Sequence, residues 1–132
     1  MEIMQPYAFG KNVATSYGET EKRVREELQK EGFGILTEID VKEKFREKLG
    51  REFRDYIILG ACNPGLAWEA FAMEIDIGTL LPCNVCVYAG DDGRTVVMVM
   101  DPEAALGIIG NPELTQLART VKEKLERVIA AL

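Results

Sequence analysis

The sequence predicts an α+β protein in which helices cover one face of a single, largely antiparallel sheet. Two valine-rich segments, 83–89 and 94–100, flank a Gly-Asp-Asp-Gly turn and form a hairpin pattern. A long amphipathic pattern closes the chain, and strand and helix patterns alternate before the hairpin. A doubly wound parallel sheet is the alternative, but the hairpin and the missing glycine-rich turn after the first strand count against it.

The first part of the chain predicts a strand, a helix and a second strand. Apolar residues alternate over Tyr7 to Ala14, and Glu19 to Glu31 has the spacing of a one-sided helix that ends at Gly32. Phe33 to Asp40 predicts the next strand. Its spacing sorts the side chains onto two faces, with Ile35, Thr37 and Ile39 on one and Leu36, Glu38 and Asp40 on the other.

The middle of the chain predicts two helices that start at capping residues. Asp40 caps a short helix over Val41 to Leu49, and Tyr56 to Ala61 predicts a third strand. Asn63 then caps a helix from Pro64 to Glu74, because proline suits a first helical turn.

The remaining elements follow from similar signals. On the helix after Asn63, Leu66 and Phe71 are expected to face inward, and a loop leads to the hairpin. A short helix begins after Asp101, and Asn111 starts the final long helix. Its predicted core positions are Leu114, Leu117, Ala118, Val121, Leu125, Val128 and Leu132.

Composition limits both the domain count and the chemistry. At 132 residues, with no repeat or long linker, the chain is expected to form one domain over residues 1–132. It contains no histidine, which excludes Ser-His-Asp and Cys-His catalysis and histidine-ligated metal sites. Carboxylates, amines, hydroxyls and three cysteines remain.

Charge and targeting signals limit the partners. The net charge of −6 and a pI near 4.8 disfavour nucleic acid and anionic membranes. The first residues do not resemble a signal peptide, and no apolar stretch is long enough to span a membrane. An odd number of cysteines without a secretory signal favours free thiols in the cytoplasm.

Three stretches together resemble the domain-of-unknown-function 302 family. They are Gly-Phe-Gly-Ile-Leu-Thr-Glu-Ile-Asp at 32–40, Ile-Leu-Gly-Ala-Cys-Asn-Pro at 58–64 and Leu-Leu-Pro-Cys-Asn-Val at 80–85. The resemblance implies a TATA-binding-protein-like fold, β-α-β4-α with inserted helices and a curved sheet, and a homodimer. It implies no settled activity. The chain departs from the family pattern at Cys86, where an aliphatic residue is usual, and at Trp68, where histidine or tyrosine is expected.

The repeated Cys-Asn dipeptide marks the main candidate site. Cys62-Asn63 lies at a strand-to-helix junction and Cys83-Asn84 at a loop-to-strand junction. If both junctions meet at one end of the sheet, two thiols and two amides line a pocket near a helix N-terminus. Alternatively, the asparagines satisfy turns and the cysteines pack as small buried residues. A metal site on these cysteines is not favoured, because two ligands are too few.

Two other patterns carry weaker signals. Cys83 and Cys86 have the Cys-x-x-Cys spacing, but in a strand this offset places them on opposite faces, so Cys86 is expected to be a small core residue. Glu38 and Asp40 form a carboxylate pair that suits acid–base chemistry or a hard cation. A helix cap at Asp40 and a lysine partner for Glu38 are the favoured alternatives. Trp68 is interpreted as a core or interface anchor.

These observations favour a binding protein over an enzyme. The predicted role is to bind a small molecule or a partner near the two Cys-Asn junctions, with Cys62, Asn63, Cys83, Asn84, Glu38 and Asp40 as candidate ligand-binding residues and no cofactor. One alternative is a thiol-dependent enzyme or a redox or sulfur-handling protein that uses Cys62 and Cys83. A second alternative is a structural interaction module.

Overall fold

The structure, a computed structural model, describes residues 2–132 and contains one antiparallel sheet of six strands in the order β1-β2-β6-β5-β4-β3. The strands are β1 (Glu2–Met4), β2 (Ala8–Val13), β3 (Gly34–Asp40), β4 (Tyr56–Cys62), β5 (Cys83–Ala89) and β6 (Thr95–Met100). The helices are α1 (Tyr17–Lys30), α2 (Val41–Leu49), α3 (Pro64–Met73), α4 (Pro102–Gly107) and α5 (Pro112–Ala130), and a 3-10 helix spans Ile75–Leu80.

The predicted fold class is confirmed. From β2 the order is β-α-β4-α, formed by β2, α1, the strands β3 to β6 and α5, with α2, α3 and α4 inserted. Every strand pair in the sheet is antiparallel, including the predicted β5–β6 hairpin. Within residues 2–132, none of the helices has both the length and the hydrophobicity that a membrane crossing requires.

One face of the sheet is buried under helices α1, α3, α4 and α5. Val87 and Val97 are cross-strand partners on this face, and both are fully buried. Leu28 of α1 and Leu114 of α5 belong to the same hydrophobic cluster and are also fully buried. Dense packing of branched side chains between these layers supplies most of the driving force for folding.

Capping side chains set the helix starts that the sequence predicts. Asp40 accepts a hydrogen bond from the Glu43 amide at 3.0 Å at the start of α2. Asn111 caps α5 through the Glu113 amide at 3.0 Å. Each cap satisfies an amide that has no partner inside the helix, which explains why local sequence determines these boundaries.

The opposite face of the sheet is less buried at its centre than the face beneath the helices, and we call it the open face. Cross-strand partners share a face, so Ile58, Cys86 and Met98 lie side by side here. Cys86 is half-buried on this face and is not part of the hydrophobic core, so the prediction that it is a small core residue is wrong.

Three further features differ from the sequence predictions. The register of β3 shifts between Ile35 and Thr37, so Ile35 lies on the helix-covered face while Thr37 and Ile39 lie on the open face. Phe71 is exposed rather than inward-facing. Strand β1 was not predicted, and the 3-10 helix lies in a predicted loop, because both elements are too short to show a periodic pattern.

Truncation of Leu114 tests the buried layer. We expect Leu114→Ala to lower the free energy of unfolding by about 2–5 kcal/mol, because it leaves a cavity between α5 and the sheet. Ile108→Ala removes a side chain that is 77% exposed and should change stability by less than about 0.5 kcal/mol. Urea denaturation measures both values, and equal losses would contradict the proposed packing.

Candidate functional site

The first candidate region is the end of the sheet where β4 runs into α3 and β5 begins. Ala61 is the cross-strand partner of Cys83, which makes Cys62 and Cys83 close neighbours. Cys83 is buried and Cys62 is half-buried. The structure therefore brings together both predicted cysteines and Asn63, all of which line one small cavity.

This cavity has a volume of about 40 Å³. Its lining is apolar apart from Asn63 and the two thiols; the other residues are Phe33, Ala61, Leu66, Ala67, Ala70, Leu81, Pro82, Pro102, Leu106, Leu117 and Val121. A single water needs about 10–15 Å³ measured in this way, whereas small-molecule sites have about 300 Å³ or more. The cavity has room for a few water molecules and is too small for a metabolite.

The electrostatics of this cavity favour neutral thiols. Burial raises the pKa of Cys62. Burial, together with the charge that Cys62 would carry, raises the pKa of Cys83 to about 11. Because a thiolate is the reactive form, this environment suppresses nucleophilic and redox chemistry instead of promoting it.

Asn63 has a structural role at the junction. Its side-chain oxygen accepts a hydrogen bond from the Leu66 amide at 3.4 Å and caps α3. Its side-chain nitrogen donates to the Glu31 carbonyl at 3.4 Å and connects α3 to the end of α1. It also lies against Gly32, whose φ of 86° gives the left-handed end of α1 that the sequence predicts.

Asn84 does not share this cavity. It follows Cys83 by one residue in β5, so its side chain projects from the open face. Cys83 and Cys86 lie on opposite faces for the same reason, as the sequence predicts. Because side chains alternate along β5, Cys83 faces the small cavity while the adjacent Asn84 faces the open side of the sheet.

The second candidate region is a cleft on the open face with a volume of about 370 Å³. We call it the open-face cleft. Its lining residues are Ile3, Gln5, Tyr7, Ala8, Tyr56, Asn84, Cys86, Tyr88, Met98, Val99, Met100 and Ala105. None of the described residues that line it carries a charged side chain. Its volume lies within the range of known small-molecule sites.

Aromatic rings form one wall of the open-face cleft. Tyr56 and Tyr88 are cross-strand partners, and their rings stack with centroids 5.0 Å apart and planes 4° apart. The row continues through Phe53, 6.1 Å from Tyr56, to Phe45 on α2, 5.0 Å from Phe53. Arg54 lies 5.9 Å from the centre of the Tyr88 ring at the rim. The Tyr56 and Tyr88 rings are therefore held in place by neighbouring rings.

Cys86 and Tyr56 interact inside the cleft. Burial raises the pKa of Tyr56 above the ordinary range, and its interaction with the Cys86 sulfur raises it further. Burial also raises the pKa of Cys86, although the Tyr56 hydroxyl opposes this effect. Both side chains therefore remain neutral near pH 7, and the cleft offers hydrogen-bonding groups without charge.

The predicted carboxylate pair lies outside both cavities. Glu38 binds Arg25 of α1 at 2.6 Å, and this interaction lowers the pKa of Glu38. Asp40 serves as the cap of α2. Both carboxylates thus have structural roles, as the favoured alternative predicts. The partner of Glu38 is an arginine, however, and not the expected lysine.

Sequence reasoning missed most of the cleft. Tyr56, Tyr88 and Met98 had no assigned role, although strict alternation along β4, β5 and β6 sorts them onto one face. That alternation is the signal that would have revealed them.

The chain is similar to known proteins over almost its whole length. A profile described as "Domain of unknown function DUF302" matches residues 9–132. The chain belongs to the DUF302 family. It is also similar to the crystal structure of an uncharacterized conserved DUF302 protein from Bacillus stearothermophilus, with 31% sequence identity and a TM-score of 0.87. That alignment covers 94% of this chain and 96% of the other.

No functionally curated protein matches this DUF302 chain. The family resemblance expected from its three sequence stretches is confirmed, and so is the fold. The DUF302 description carries no activity, so the function has to be argued from the geometry of the molecule.

Alkylation with iodoacetamide tests the state of the thiols in this DUF302 protein. At about pH 7.5 a thiol of pKa about 11 contains roughly two to three orders of magnitude less thiolate than free cysteine. We expect native Cys83 to stay unlabelled while the protein unfolded in guanidinium is labelled rapidly at all three cysteines. Mass spectrometry of digested samples measures each site. Native labelling of Cys83 at the rate of free cysteine would contradict the buried, neutral thiol.

Proposed function

We propose that this DUF302 protein binds a small, neutral, flat molecule in the open-face cleft and does not transform it chemically. The observation that carries the proposal is a cleft of about 370 Å³ whose described lining has no charged side chain. The cavity at Cys62 and Cys83 is about nine times smaller, at about 40 Å³. The ligand site is therefore proposed on the open face. Of the ligand-binding residues predicted from the sequence, Asn84 lines this cleft.

Uncharged polar groups support a neutral ligand. Gln5 and Asn84 offer amide donors and acceptors, and Tyr7, Tyr56 and Tyr88 offer hydroxyls. A charged ligand in this cleft would lose hydration without gaining an unpaired opposite charge, because Arg54 at the rim already pairs with Asp91 at 2.7 Å, and this loss is costly. A neutral ligand avoids this cost.

The stacked tyrosines support a flat ligand. The Tyr56 and Tyr88 rings are stacked 5.0 Å apart, so each covers a face of the other and their edges border the cleft. Met98 and Met100 face the same space and add flexible apolar contacts. Aromatic rings pack best on such surfaces in offset or edge-on geometry.

The thiol-dependent alternative has weaker support. It requires an accessible thiolate at Cys62 or Cys83, and burial raises the pKa of both. The chain also lacks histidine, the usual base for such a nucleophile. Binding without catalysis makes fewer demands on these side chains.

We also propose that the protein acts in the cytoplasm as a homodimer and without nucleic acid. Three free cysteines suit a reducing compartment. The net charge of −6 opposes phosphate backbones. Exposed apolar side chains, among them Trp68 at 79% exposure, support self-association.

Three probes with one ring but different charge test the ligand class: phenol, benzoate and benzylamine. In NMR titrations near pH 7, we expect phenol to shift the amide signals of Asn84, Cys86 and Met98, and the two charged probes to bind at least about tenfold more weakly. Asn84→Phe places a ring in the cleft and should abolish the phenol shifts.

Thr120→Phe is the matched control, because it adds the same ring at an exposed position of α5. Phenol should shift this variant like the wild type. Saturable shifts confined to residues around Cys62 and Cys83 would move the site to the other cavity. The absence of saturable binding for all three probes would overturn the proposal in favour of an interaction module.

A further inference from the structure

We infer that two copies of this chain associate along the β3 edge, with a basic end of one copy against an acidic end of the other. The inference rests on the proposed homodimer and adds which surfaces meet. Strand β3 is one of the two edge strands of the sheet, and its outward side has no neighbouring strand among residues 2–132. Such edges are natural sites of association.

The acidic end consists of α3 and the 3-10 helix, residues 64–80. No lysine or arginine occurs between Asp55 and Gly93 in the sequence. Trp68 and Ile75 are 79% and 78% exposed on this end. Three acids lie among the apolar residues: Glu69, Glu74 and Asp76. An exposed apolar surface with only negative charge requires a partner that is apolar and positive.

The basic end consists of α2 and the segment that follows it, residues 41–54. It has six basic and three acidic side chains, a net charge of +3. Four of the basic side chains form ion pairs: Lys44 and Arg46 with Glu47 and Glu43 on α2 at 3.6 Å each, Lys42 with Asp55 at 3.3 Å and Arg54 with Asp91 at 2.7 Å. Lys48 and Arg51 form no ion pair among residues 2–132, and they carry the positive charge that a partner can meet. Exposed apolar side chains occur here too, namely Phe45, Leu49 and Phe53. This end has the chemistry that the acidic end requires.

The two ends lie at opposite ends of β3. Val41 directly follows the last residue of β3, so the basic end begins there. At the other end Gly34 pairs with Cys62, two residues before α3 and the acidic end. The seven residues of β3 separate them by about 20 Å, at about 3.4 Å per residue.

A two-fold axis near the middle of β3 places the basic end of each copy against the acidic end of the other. The contact between basic and acidic ends is then made twice, as closed dimer symmetry requires. Leu36 and Ile39 lie on β3 between the two ends and are 66% and 43% exposed. The contact would cover them together with Trp68 of the acidic end and Phe45 and Phe53 of the basic end. A parallel arrangement would instead place like charges together, which is unfavourable.

Charge reversal in solution tests this arrangement. Sedimentation of the wild type at micromolar concentration should give twice the chain mass of 14.7 kDa. The acid-reversed variant is Glu69→Lys with Glu74→Lys, and the base-reversed variant is Lys48→Glu with Arg51→Glu. The homodimer of each variant should have a dissociation constant at least about tenfold higher than that of the wild type, because both of its contacts join like charges.

Mixing the two variants is the decisive step. In a mixed dimer both contacts again join opposite charges, so an equimolar mixture should recover the dimer mass. Trp68 is the one tryptophan of the chain, and its emission should shift to the blue in the wild type and in the mixture but not in either variant alone. Glu123→Lys with Glu126→Lys on α5 is the matched control, and it should remain dimeric.

The outcomes separate the two proposals. A monomeric wild type would overturn the homodimer itself. A dimeric wild type whose charge-reversed variants also remain dimeric would keep the homodimer and overturn the β3 edge. Monomeric variants that do not recover on mixing would overturn the reciprocal pairing of the two ends.

Discussion

The structure depends on the burial of one sheet face under α1, α3, α4 and α5. Branched residues such as Val87 and Val97 point into this layer, and removing them from water drives folding. Because side chains alternate along a strand, every strand that contributes to this layer also displays its other residues on the open face. The core and the open-face cleft are thus two consequences of one constraint.

The same constraint separates the cysteines by environment. Cys83 points towards the helices and becomes a buried, neutral thiol, whereas Cys86 projects into the cleft beside Tyr56. Neither environment contains a basic side chain among the described lining residues of its cavity. Burial without positive charge raises a thiol pKa, and this is why the molecule suits binding better than thiol chemistry.

The helices that join β3 to β4 and β4 to β5 contribute little to the buried layer. No residue of α2 is buried, and Ala70 is the buried residue of α3. Most of their side chains are therefore less constrained by core packing than those of α1 and α5. One has become basic and the other acidic, while both keep apolar groups on the surface. These exposed residues add little to the stability of a single copy, and contact between two copies explains them better.

The sequence by itself determined the order of the main strands and helices from β2 onward, most boundaries and the helix caps, because these depend on periodicity and on side chains within a few residues of each other. Asp40, Asn63 and Asn111 cap their predicted helices. Only the tertiary structure decided the volumes of the two cavities, the bulge that turns Ile35 inward and the exposure of Phe71. These features depend on how elements distant in the chain pack against one another, and no local pattern records that packing.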